Sequence, residues 1–212
     1  MKLTKLRVNH VETPMGFQIT PLSFSWKVTE AGEVKRQKWV NVRIWKNAGQ
    51  EEEKIFDSGQ DENADSLDYQ VGLDLTPRTR YTWQVQVTAD NGEMAKARSF
   101  FETGKGKEAW SAHWITADLG ADTPAVLRRR FTVSASEGAQ GAEDVKDSRL
   151  YICGLGVYEV YLNGEKVGSE YLAPGYHSYD FHLQAQTYDV TAYLREGENE
   201  IQIWLGDGWF RG

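Results

Sequence analysis

Apolar residues fall at every second position along several windows of this chain, and no window carries a long stripe of helical period. That alternation is the strongest constraint on the fold, because a period of two places one side-chain row on a core and the other in water only if the backbone is extended. In Tyr81-Thr82-Trp83-Gln84-Val85-Gln86-Val87 the odd positions point inward and Thr82, Gln84 and Gln86 meet solvent, as in an antiparallel sheet with one wet face. Trp39 to Trp45 reads as a strand with Val40, Val42 and Ile44 on one face, and Leu22 to Trp26 alternates apolar with small polar residues. Asp90-Asn91-Gly92 supplies a turn, after which Arg98 to Thr103 is the expected partner strand. Several short antiparallel strands in roughly 100 residues predict a β-sandwich.

Gly104-Lys105-Gly106-Lys107 is a short charged, glycine-bearing segment that suits a domain boundary. The expected division is therefore residues 1–104, a fibronectin III/Ig-like sandwich, and residues 105–212, a second, jelly-roll-like sandwich. Behind the boundary, Leu127 to Val133, Leu150 to Cys153, Val157 to Leu162 and Ile201 to Leu205 are strand candidates, and Ser134 to Ser148 reads as an exposed loop. Asn163-Gly164 is the strongest hairpin signal, since both central residues of a type I′ turn need φ > 0. Thr187 to Leu194 has room for one helical turn capped by Asp189 or Thr191. After Ile201 to Leu205 no further strand follows to cover its backbone, so the second sandwich is expected to be incomplete.

The charge balance, 24 basic against 31 acidic residues, gives a net charge of -7 and argues against a protein that grips a phosphate backbone. Nucleic acid is not an expected partner. One cysteine, Cys153, excludes an internal disulfide and a cysteine-based zinc site, and is expected to behave as a small buried hydrophobe. The start Met1-Lys2-Leu3-Thr4-Lys5 lacks the apolar run of a signal peptide, and no apolar stretch approaches the roughly 20 residues of a membrane span. The expected location is cytoplasmic, with no membrane partner.

Most site-like patterns fail on spacing. Asp61-Glu62-Asn63-Ala64-Asp65 opens like a calcium loop, but Ser66 stands where glycine is needed and Gly72 where a bidentate glutamate is needed, so it reads as a solvated acidic loop. Glu51-Glu52-Glu53 is most simply an exposed turn. His10, His113, His177 and His182 form no helical i, i+4 pair and read as surface or hydrogen-bonded residues; no metal ligand is assigned. Gly154-Leu155-Gly156 and Gly206-Asp207-Gly208 lack the third glycine of a phosphate cradle and mark strand ends or bulges. Neither a Ser, His and Asp set nor a carboxylate pair can be chosen by spacing, because such groups assemble in space.

Eight Trp and ten Tyr make the aromatics the better lead, since their faces stack on sugar rings while Asn and Asp bond hydroxyls. Carbohydrate-binding candidates near the second domain's turns are Tyr158, Asn163, Tyr176, Tyr179, Asp180, Asp207 and Trp209, and Tyr171 gathers around the same turns. The competing reading is that such aromatics form sandwich cores.

Gly154 to Gly164, Tyr171-Leu172-Ala173-Pro174-Gly175, Thr187-Tyr188-Asp189-Val190-Thr191 and Leu205 to Gly212 occur in that order, and together they make the second half resemble the N-terminal region of bacterial α-L-rhamnosidases. Trp26 and the Leu75 to Tyr81 corner resemble the fibronectin type III-like sandwich that precedes that region in many members. The resemblance implies a glycoside hydrolase parent that removes terminal α-linked L-rhamnose from glycosides with inversion. In that family the acid and base carboxylates sit in a downstream (α/α)6 barrel, so no catalytic residue carries over to this chain. It implies as partners a rhamnose-containing glycoside and the downstream catalytic domain, with scaffolding or carbohydrate recognition left to the β-domains. Calcium enters only through related domains that bind rhamnose with it, and matches no residue here. The rival is a stand-alone interaction module whose aromatics anchor another protein.

Overall fold

The computed structural model describes residues 1–48, 51–120, 123–134 and 147–210. It is all-β apart from one 3-10 turn, and it divides into two compact units, Met1–Ala109 and Trp110–Gly212. No helix among the described residues is long and apolar enough to cross a membrane.

The first unit holds β1 (Lys2–Val8), β2 (Met15–Phe17), β3 (Leu22–Thr29), β4 (Gln37–Ala48), β5 (Glu51–Asp57), β6 (Tyr69–Val71), β7 (Arg80–Ala89) and β8 (Met94–Thr103). They form a three-stranded sheet, β1-β3-β6, and a five-stranded sheet, β2-β8-β7-β4-β5. Every pairing is antiparallel except β2 with β8. Both sheets turn their apolar rows into one core, where Val40, Val42 and Ile44 of β4 meet Tyr81, Trp83, Val85 and Val87 of β7, each at most 1% exposed. Phe24 of β3 reaches Trp83 across that core with ring centroids 4.5 Å apart, and Tyr81 stacks on Phe101 at 5.1 Å. The Tyr81 hydroxyl accepts the Thr76 N–H at 2.8 Å, closing the expected corner as a tyrosine corner of a sandwich of immunoglobulin type.

Glu51-Glu52-Glu53 is not a turn but the start of edge strand β5, paired with Asn47 and its neighbours. An edge strand wet on both faces tolerates a run of carboxylates, which hides the strand from an alternation test and blunts sheet-to-sheet association. The acidic loop beyond it is turned on itself: Asp61 Oδ1 accepts the Asn63 N–H, Asp61 Oδ2 the Tyr69 hydroxyl, and Asp65 Oδ1 the Leu67 N–H.

The second unit holds β9 (Ala125–Val133), β10 (Arg149–Ile152), β11 (Val157–Leu162), β12 (Glu165–Lys166), β13 (Gln186–Asp189) and β14 (Gly197–Gly206), with the 3-10 turn at Thr191–Tyr193. Its sheets are β12-β11-β14-β9 and β10-β13, and side chains of both pack around Tyr158, Val160, Leu162, Val167 and Val190. Of the expected loop Ser134 to Ser148, residues 135–146 lie outside the described residues. Asn163 and Gly164 take φ of 52° and 88°, the two positive values the hairpin requires. Thr187 to Asp189 is strand rather than helix; only the 3-10 turn follows, with Val190 at its cap and Asp189 Oδ1 accepting the Thr191 N–H at 3.1 Å.

The expectation that the last strand lacks cover is corrected. β14 is interior: Ile203 lies opposite Val160 of β11 on one side and Leu127 of β9 on the other. Strand order in space differs from order in the chain, and an earlier strand supplies the missing edge.

Candidate functional site

The two glycine pairs meet where β11 begins and β14 ends, at the Val157 and Gly206 register pair. A Cβ on Gly156 would lie 2.4 Å from the Gly206 carbonyl oxygen and 2.7 Å from that of Asp207, and Gly156 also has φ +83°. Glycine is required there by contact and by conformation together. Beyond β14 the Phe210 N–H donates to Asp207 O at 3.0 Å, forming a turn that presents Trp209 and Phe210.

A second segment, 172–182, comes to these rings. Its entry is tied to β11 by the Tyr158 N–H donating to Ala173 O at 2.7 Å, and its far end folds on itself where the Phe181 and His182 N–H groups donate to Ser178 O. Tyr176 then meets Trp209 edge to face at 6.5 Å and Tyr179 at 6.4 Å, while Tyr179 meets Phe210 at 5.2 Å and the His177 ring at 5.6 Å. Tyr176 is 71% exposed and Trp209 51%, so two broad aromatic surfaces remain open to solvent.

Beneath them His177 is 2% exposed. Its Nε2 accepts the Gln184 N–H at 3.4 Å, which assigns the ring proton to Nδ1. Burial, and then the nearby His182, holds its pKa below the usual histidine value, so the ring is neutral. His177 Nδ1 and the Tyr179 hydroxyl are both buried without a hydrogen-bond partner among the described residues. Each such group, left unsatisfied, costs about 1–3 kcal/mol. The arrangement offers the exposed aromatic faces of Tyr176 and Trp209, which suits a ligand with one apolar face.

Of the sequence candidates, Tyr176, Tyr179 and Trp209 are brought together, and Asp207 forms the turn that carries Trp209. Asp180 is exposed in the same segment, and Tyr171 is exposed with Lys166 Nζ 4.0 Å from its ring centroid. Tyr158 and Asn163 face the protein instead. The Tyr158 side chain is in the core, its hydroxyl donating to Gln186 Oε1 at 2.6 Å, and burial pushes its pKa up. The Asn163 amide donates to Tyr193 O and Asn199 Oδ1 and accepts the Glu200 N–H, so its polar atoms hold the hairpin. Phe210 was not singled out by sequence, its one signal being membership of the last motif block, and His177 entered only among the histidines read as surface or hydrogen-bonded residues. Cys153 is partly rather than fully buried, with its thiol pKa raised by that burial.

Among the described residues no group of three or more His, Cys, Asp or Glu side chains is placed to hold a metal ion.

Fold and site define a class of unit by their content: an immunoglobulin-type sandwich followed by a second β-unit that exposes an aromatic cluster. Residues 3–107 match the family model described as the Rha78A-like N-terminal immunoglobulin domain, and residues 143–212 match that of the α-L-rhamnosidase N-terminal domain. The chain belongs to the α-L-rhamnosidase family by these two N-terminal domains. An α-L-rhamnosidase of Formosa agariphila is 28% identical over 97% of this chain and 24% of its own length. One of Streptomyces avermitilis is 46% identical over 32% of this chain and 7% of its own. The solved structure of the α-L-rhamnosidase from Dictyoglumus thermophilum superposes with a TM-score of 0.78 at 26% identity, over 98% of this chain and 25% of that one. That from Aspergillus terreus gives 0.73 at 25% identity, over 100% and 24%. The chain thus spans about a quarter of the length of the relatives it matches from end to end.

Proposed function

We propose that this chain is the non-catalytic N-terminal region of an α-L-rhamnosidase, a glycoside hydrolase whose whole form releases terminal α-linked L-rhamnose from glycosides. Its own part is to recognise carbohydrate and to support a catalytic domain elsewhere in the protein. The observation that carries the recognition role is the aromatic cluster of Tyr176, Tyr179, Trp209 and Phe210, in which Tyr176 and Trp209 stay open to solvent. Rhamnose presents a methyl group and C–H faces to such rings. Support for the family role comes from the two N-terminal domain matches and from relatives that carry this activity in their names.

The test is titration of the 212-residue chain with L-rhamnose, with and without calcium, by calorimetry and by NMR of the Trp209 indole. Millimolar affinity is expected, about -4 kcal/mol, with no calcium dependence and with loss in Trp209→Ala. Submicromolar affinity, or a Trp209 indole that does not respond to saturating sugar, would remove recognition and leave support alone.

A further inference from the structure

The sheet of β12, β11, β14 and β9 has two unlike faces. Val160, Ile201, Ile203 and Leu205 supply the core, and alternation sends Tyr161 of β11 with Gln202 and Trp204 of β14 to the other side. Trp204 is 52% exposed there, and Val126, opposite it on β9, is 51% exposed. Tyr161 lies beside Trp204 with ring centroids 5.7 Å apart. Cross-strand packing accounts for that contact. It leaves unexplained why half of the largest side chain type stands open at the centre of a sheet.

The rings are bordered by fixed polar groups. Glu159 accepts the Tyr161 hydroxyl at 2.8 Å and Lys166 Nζ at 2.7 Å, which pins the tyrosine ring. On the other side Glu200 accepts Arg128, Arg130 Nε at 3.3 Å and Gln202 Nε2 at 2.8 Å, and Arg130 also lies 3.8 Å from Glu198. Three cations thus face three carboxylates, and the surface has no net field to draw an ionic partner. A protein partner would have to desolvate these pairs beside the ring, which is costly, and docking surfaces are depleted of charge at their centre. A sugar need not: each hydroxyl both donates and accepts, replacing the water on a carboxylate or guanidinium while a C–H face covers the indole.

We propose that this outer face of the sheet is a binding platform for a neutral oligosaccharide, stacked on Trp204 and Tyr161 and bonded through hydroxyls to the Glu159–Lys166 and Glu200–Arg128 pairs. The platform sits on strands and is separate from the loop cluster; only the choice of rhamnose as one probe rests on the function proposed above. Rows at about 4.8 Å spacing carry it roughly 10 Å across three strands, enough for more than one sugar ring.

The whole 212-residue chain is titrated with an α-linked rhamno-oligosaccharide, a neutral cello-oligosaccharide and a polyanionic oligogalacturonate, read by calorimetry and by the Trp204 indole resonance. At least one neutral probe is expected to shift Trp204, with its calorimetric affinity falling about tenfold in Trp204→Ala and in Tyr161→Ala. Trp204→Phe keeps a stacking ring and should retain most of the binding, which separates lost stacking from a disturbed fold. Trp204-dependent binding of the cello-oligosaccharide alone upholds the platform and counts against the rhamnoside reading. A Trp209 response to L-rhamnose with no Trp204 response to either neutral probe overturns the platform and leaves the loop cluster standing. Oligogalacturonate binding as tightly as the neutral probes overturns the neutral class.

Discussion

A methyl group is the smallest possible probe of the junction beside Trp209. In Gly156→Ala it would have to displace the Gly206 and Asp207 carbonyls, which are β14 and turn backbone, at a φ of +83° that alanine resists. Backbone cannot yield as a flexible side-chain tip does, so a loss of about 1–3 kcal/mol in chemical denaturation is expected, together with a shifted Trp209 indole resonance. Wild-type stability and an unmoved Trp209 would contradict the packing. Both glycine pairs were legible as strand ends, but that each exists for the other was not, because their contact crosses a pairing between strands distant in sequence. Asp57 is the clearest charged case in the first unit. Asn41 first, then Lys54, the Gly59 N–H and Arg43, hold its carboxyl well below the usual aspartate range. A depressed folded pKa means that the unfolded chain binds the proton more readily, so the stabilisation is complete above about pH 5 and is lost as the pH falls past the ordinary value of about 3.9. Asp57→Ala should therefore cost about 1–3 kcal/mol at pH 7, and the gap to the wild type should narrow progressively in urea titrations below pH 4. A gap independent of pH would refute the assignment.

Hairpins and doubly alternating strands could be read directly, because β7 and the Asn163-Gly164 turn carry their geometry in adjacent residues. Strands whose reason to exist is a distant neighbour could not. β5 is an acidic edge that only its pairing with β4 makes a strand, and β14 is interior only because β9 returns to it. The same limit applies to the residue that locks the end of β11 to β14. Asn199 is 1% exposed; its Nδ2 donates to Arg195 O and Gly197 O while its Oδ1 accepts Asn163 Nδ2 and the Arg195 N–H. Nothing in the run Gly197-Glu198-Asn199-Glu200 distinguishes this asparagine from a surface one. Asn199→Ala leaves several buried partners without hydrogen bonds and is expected to cost about 2–4 kcal/mol, with faster amide exchange at Asn163 and Glu200. Asn163→Gly keeps the positive φ and removes fewer bonds, so it should cost less; the reverse order would argue that turn conformation, not the amide network, fixes the hairpin.

At the scale of the molecule, the aromatic richness divides by unit. In the first it is core, as Phe24, Tyr81, Trp83 and Phe101 demonstrate, whereas in the second Tyr176, Trp204 and Trp209 keep large exposed faces. Composition could not separate the two uses, since both draw on the same residue types and only burial differs. Family membership, by contrast, was legible from four ordered blocks, because motif order survives where long-range contacts cannot be inferred. That membership leads to a definite prediction about chemistry. Inverting glycoside hydrolysis needs two carboxyl groups flanking one bond, an acid with a raised pKa and a base opposite it, about 6.5–9.5 Å apart. The carboxyls with resolved shifts here, Glu12, Asp57, Asp68, Glu159 and Glu200, are all lowered, and each is bonded to amide, ammonium or guanidinium donors that favour the charged form. None of them is an acid held protonated at neutral pH. The 212-residue chain is therefore expected to release no nitrophenol from an aryl α-L-rhamnoside above the buffer rate between pH 5 and pH 8, at any calcium concentration. Turnover that persists in preparations of the chain purified by two independent routes, and that falls when Glu159 or Glu200 is changed to Gln, would place catalysis in these β-domains and overturn the division of labour proposed for them.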